Sequence, residues 1–122
     1  RVRKVNLDRT IATVMGNGLA ATSADGAPAL GQSVDTPMAL VVDEYGNLFI
    51  ASRSAVRVVT AGANGEAGGE DSVYTIYTAG EAGGVGTSMG CLSGLALEPD
   101  ADDTRIHVLD ACRGSWVAIE RQ

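Results

Sequence analysis

The stretch PMALVVDEYGNLFIAS (Pro37–Ser52) decides how the chain reads. Two apolar runs rich in β-branched residues, Met38–Asp43 and Leu48–Ser52, flank Glu44-Tyr45-Gly46-Asn47. That is the pattern of an antiparallel hairpin with a four-residue turn. No window on either side holds a helical period, so the flanking apolar runs are read as strands too. Val2–Leu7 and Thr10–Met15 come before the hairpin, and Val56–Thr60 and Ser72–Thr78 follow it. Leu92–Leu97, Arg105–Asp110 and Trp116–Glu120 complete a series of nine strands with no helix.

The hairpin also recurs. ALVVDEYGNLFIAS (Ala39–Ser52) aligns with GLALEPDADDTRIHVLD (Gly94–Asp110) when the second copy is given a longer turn. Each copy is followed by a short loop and a further strand. An all-β repeat four strands long, with Leu95 standing 55 residues after Leu40, points to the blade of a β-propeller. An immunoglobulin-like sandwich does not repeat internally, and a solenoid needs shorter repeats.

Composition narrows the function classes. The 122 residues fit one domain, with 45% hydrophobic but only 4% aromatic residues and 16 glycines. The longest apolar run is far short of the roughly 20 residues of a membrane helix, so membrane insertion is not expected. No signal-peptide pattern is present, but the chain opens on Arg1 rather than Met, so an upstream segment is expected. Four of the nine basic residues, Arg1, Arg3, Lys4 and Arg9, lie in the first ten positions. The remainder is strongly acidic, which repels a phosphate backbone and argues against nucleic acid as a partner.

On particular residues the chain resembles the NHL-repeat family of β-propellers. They are RVRKV (Arg1–Val5), TVMGNG (Thr13–Gly18), SADGAPA (Ser23–Ala29), the hairpin Pro37–Ala51 and VRVV (Val56–Val59). The match spans nearly all of the first sixty residues, and Leu92–Gln122 fits more loosely. Ser52 stands where the family usually has Asp, and Ala79–Gly90 lacks any SADGAPA-like element. The resemblance implies an NHL-like partial β-propeller of about two to two and a half four-stranded blades. Residues 1–15 are then the outer strands C and D of a first blade, and 38–79 a complete second blade. Residues 92–122 are strands A to C of a third, with inter-blade loops at 16–37 and 80–91. So few blades cannot close a ring, and the expected partners are remaining blades of the same protein or other chains at the open sheet edges.

The same frame sorts the candidate sites. With Asp100–Thr104 as the turn of the last A–B hairpin, cross-strand partners have numbers totalling about 203, as do Cys91 and Cys112. Directly opposed residues lie about 4.5–5.5 Å apart, within disulfide reach. A Cys91–Cys112 disulfide is therefore expected, and with it an extracellular, cell-surface or periplasmic location. The glycine runs Gly62–Gly69 and Gly80–Gly86 lack a phosphate loop's Gly-Lys-Ser/Thr and read as flexible connections. His107 is the only histidine, which leaves no catalytic triad and no zinc set, and no cofactor is expected. The acidic turn Asp100, Asp102, Asp103 is a candidate for Ca²⁺. By analogy with the family, the loops around the channel mouth carry Asp25, Asp35, Arg53, Glu81 and Arg113 as the expected binding face. The reading is a non-catalytic protein- or ligand-binding and assembly module of an extracytoplasmic protein. The alternative is a fragment of a propeller enzyme, a metal-dependent lyase or lactonase-type hydrolase, with its catalytic residues mostly in other blades.

Overall fold

Short Val-, Leu- and Ile-rich segments, punctuated by Gly, Asp and Asn, leave the backbone little choice but to pair in antiparallel ladders. The computed structural model describes residues 1–19, 24–53, 55–78, 92–99, 104–110 and 115–120. Among them it forms nine strands and no helix: β1 (Val2–Val5), β2 (Ile11–Met15), β3 (Ala39–Val42), β4 (Leu48–Ala51), β5 (Ala55–Val59), β6 (Val73–Thr78), β7 (Leu92–Pro99), β8 (Thr104–Asp110) and β9 (Ser115–Glu120). They make three separate sheets with orders β1-β2, β3-β4-β5-β6 and β7-β8-β9, every neighbour antiparallel. The chain is thus all-β, and none of its sheets closes on itself.

Two apolar clusters separate the sheets. Val2, Val14 and Met15 of the first sheet pack with Leu48, Ile50, Val59 and Val73 of the second. On the opposite face, Phe49, Ala51, Val56 and Val58 meet Leu92, Ile106 and Val108 of the third. The inner β4–β5 pair of the four-stranded sheet is therefore covered on both faces, which explains why all of β4 and β5 is buried rather than every second residue. Each large aliphatic or aromatic side chain buried there contributes about 1.5–3 kcal/mol.

The turns are fixed by side chains. In β1–β2, Asp8 accepts hydrogen bonds from the Thr10 amide at 3.0 Å and its hydroxyl at 2.6 Å. The Thr10 hydroxyl, then its amide, holds the Asp8 carboxyl below its ordinary value. In β3–β4, the buried Asp43 carboxylate accepts from the Tyr45 and Asn47 amides, both at 2.9 Å, and from Asn47 Nδ2 at 3.0 Å. Asn47 Oδ1 in turn accepts from the Ala61 amide at 2.7 Å, tying the hairpin tip to the exit of β5.

One connection departs from its sequence reading. The run Gly62–Gly69 is not a free linker but a set of hydrogen-bonded turns docked on the hairpin tip. Gly65 N–H donates to Gly62 O at 2.9 Å, Ala67 N–H to Gly46 O at 3.2 Å, and Gly68 N–H to Asp71 Oδ2 at 2.8 Å. Apolar contact drives the docking, since Ala67 joins the first core. Gly46 has φ +86, and a Cβ placed there would meet Gly65 O at 2.0 Å. Gly26 has nearly the same φ, +89, but open space around it. Gly26→Ala should therefore cost only the left-handed backbone penalty, about 1 kcal/mol. Gly46→Ala must also push two turns apart and should cost about 3 kcal/mol or more. Urea unfolding of the two variants measures the difference, and equal losses would refute the docked-turn account.

Candidate functional site

Of the five residues placed at the loop face, Asp25, Asp35 and Arg53 are among the described residues. Glu81 and Arg113 lie outside the described residues, as do Cys91, Cys112, Asp100, Asp102 and Asp103. Asp35 and Arg53 are brought together through their backbones, Arg53 N–H donating to Asp35 O at 3.0 Å. Arg53 O then accepts from Leu92 N–H at 3.2 Å, so this turn joins the crossing segment, the second sheet and the start of the third. Ser52, buried beneath it, closes the turn by donating from its amide and hydroxyl to Ala55 O, at 2.8 and 3.0 Å. The Arg53 side chain is exposed and Asp35 half-buried.

Asp25 sits on the other flank, against β5 and β6. Its Oδ1 accepts from Arg57 Nη2 at 3.2 Å, from the Thr75 amide at 3.0 Å and from the Thr75 hydroxyl at 2.9 Å. Ala24 O takes a further Arg57 bond at 3.3 Å. Residues around Asp25 also run along β6: Gly26 N–H donates to Val73 O, Val73 N–H to Ala27 O, and Ala29 N–H to Asp71 O. Residues Ala24–Ala29 thus cover the start of the β6 edge of the second sheet, and Asp25 fastens them there.

The energetics are set by Arg57, whose side chain is only 2% exposed while that of Asp25 is 48% exposed. Burial pushes the guanidinium below its ordinary range, and the charge and hydrogen bond of Asp25 partly restore it. Removing the carboxylate leaves a cation that water reaches poorly. Replacing the cation with an apolar chain of similar length leaves a carboxylate that is half in solvent. Asp25→Ala should therefore cost about 2–3 kcal/mol and Arg57→Met about 1 kcal/mol or less. Chemical denaturation of both variants at neutral pH reads this order, and the reverse order would show that the carboxylate is not what Arg57 depends on.

Two further features carry chemistry. His107 Nε2 lies 2.7 Å from Glu98 Oε2 on the face of the third sheet opposite the buried Ile106 and Val108. Between the first and second sheets runs a groove of about 300 Å³, lined by Val2, Val14, Leu40, Val42, Leu48 and Ala67, with Arg3, Lys4 and Glu66 at its polar rim. Lys4 Nζ is paired with Glu66 Oε2 across that rim. Among the described residues no three His, Cys, Asp or Glu side chains form a set that could hold a metal. The arrangement is suited to apolar contact.

The residues that sequence reasoning missed are Arg57, Thr75 and the groove-facing Leu40 and Val42. A visible signal for the first was an arginine inside the apolar run AVRVV, which demands a counter-charge. Compared with protein-family models, curated proteins and solved structures, the chain matches none.

Proposed function

We propose that the chain is a non-catalytic, NHL-like β-propeller segment that serves as a protein- or ligand-binding and assembly module of an extracytoplasmic protein. The observation that carries this reading is the partition of the nine strands into sheets of two, four and three. A four-stranded antiparallel meander is the unit of a propeller blade. The flanking sheets then read as incomplete blades, and the repeated hairpin opens the second and third sheets at equivalent places. Sheets of this kind gain stability from neighbours and behave as nearly one-dimensional arrays. Isolated, the 122-residue chain should melt without two-state cooperativity, its van't Hoff enthalpy differing from the calorimetric one. A monomer whose two enthalpies agree would overturn the assembly reading.

The extracytoplasmic part rests on Cys91 and Cys112. The expected register of the β7–β8 hairpin holds from Gly94↔Leu109 to Pro99↔Thr104 and then slips by one at Leu92↔Asp110. A bulge of this kind alters which side chains oppose each other, so the partner total of 203 ends at Gly94↔Leu109, and the disulfide remains the expectation drawn from the sequence. Mass spectrometry of the unreduced protein should find the two cysteines joined, and two alkylatable thiols would remove the argument for an oxidising compartment.

A further inference from the structure

We infer that the groove between the first and second sheets is a docking site for an added β-hairpin of the kind formed by Ala39–Ala51, which pairs with the open edge of β1. This deepens the assembly reading above and rests on it. The first observation is a mismatch of width. Strands in a sheet lie about 4.8 Å apart, so two strands laid on four leave about 10 Å of the lower sheet without cover. Leu40 and Val42 of β3 lie in that uncovered strip and are each 56% exposed. The groove they line continues the first core directly, because Val2, Val14, Leu48 and Ala67 belong to both.

The second observation is what covers the same strand on its other face. There Ala39 and Val41 are partly buried against β7, with Leu95 and Leu97 packed on the same cluster. One face of β3 is thus closed by a strand of the repeated hairpin, and its other face offers the same apolar spacing to an equivalent strand.

The third observation is the backbone of β1. Among the described strands it pairs with β2 alone. Asn6 N–H donates to Thr10 O at 2.8 Å, so in an alternating antiparallel ladder Lys4↔Ala12 is also a bonded pair. The amides of Arg3 and Val5 therefore point away from β2, toward the place an added strand would occupy. A hairpin docked there would satisfy those amides and complete a sheet of four strands. It would also set apolar side chains over Leu40 and Val42, a form of strand addition. An apolar cavity of about 150 Å³ holds one benzene ring, so about 300 Å³ takes two side chains of that size.

The test uses the 122-residue chain and a synthetic peptide of residues Met38–Arg53 as the hairpin probe, followed by titration calorimetry. The peptide should bind one to one. Leu40→Glu, which places a charge on the groove floor, should weaken binding at least tenfold. Arg3→Pro, which removes an outward amide without touching the β1–β2 ladder, should do the same. Both positions are exposed, and circular dichroism of each variant confirms that the fold is kept. No binding by the parent chain would overturn the proposal, as would binding indifferent to either substitution. A sedimentation experiment covers the remaining occupant. Self-association of the chain that Arg3→Pro abolishes would put a second copy in the groove and overturn the assignment to a separate hairpin.

Discussion

The structure depends on the burial of both faces of the β4–β5 pair. Leu48, Ile50 and Val59 face one core, and Phe49, Ala51, Val56 and Val58 the other. A sheet covered on one side needs only alternating apolar residues, but this one needs them at nearly every position. That requirement places the first and third sheets on opposite faces of the second. It also makes any polar side chain in β5 costly, and Arg57 is there with 1% of its surface exposed.

Arg57 turns that cost into a fastening. Its counter-charge comes from Asp25, 32 residues earlier in the chain, which also bonds the amide and hydroxyl of Thr75 on the neighbouring strand. One carboxylate thus holds the crossing segment to two strands at once. The backbone bonds that follow, from Gly26 through Leu30, lie along the chain just before β6 and at its first residue, and cover the start of an edge that would otherwise invite pairing. The opposite end of the molecule has no such guard among the described residues, and the edge of β1 stays open beside an apolar groove. The two ends differ in chemistry because one loop carries an acid where β5 carries a base.

The strands were legible because their signals are local. Gly46 and Asn47 stop one run and start the next, and Asp43 makes the turn bonds that its position suggests. Strand limits read from apolar runs agree with the ladders to within two residues, and the 55-residue offset correctly pairs the hairpins that open the second and third sheets. What was not legible depends on distant contacts. Nothing near Gly62–Gly69 says that it docks on Gly46, since the contact joins two turns with no side chain at the closest approach. Asp25 reads as a loop acid until β6 is placed beside it. The alternation of Leu40 and Val42 with Ala39 and Val41 shows two faces but not which one is covered. The bulge at Leu92–Gly94 leaves no mark in residue type beyond a glycine.

The Asp25–Arg57 pair has a consequence for how such a sequence drifts. The two members are unequal: loss of the acid leaves a cation deep in the sheet, whereas loss of the base leaves a half-exposed carboxylate still bonded to Thr75. The pair can therefore be dismantled from the base side first, after which the acid is no longer needed to balance a buried charge. Change in this part of the chain therefore has a preferred order, with β5 altering before the loop that serves it.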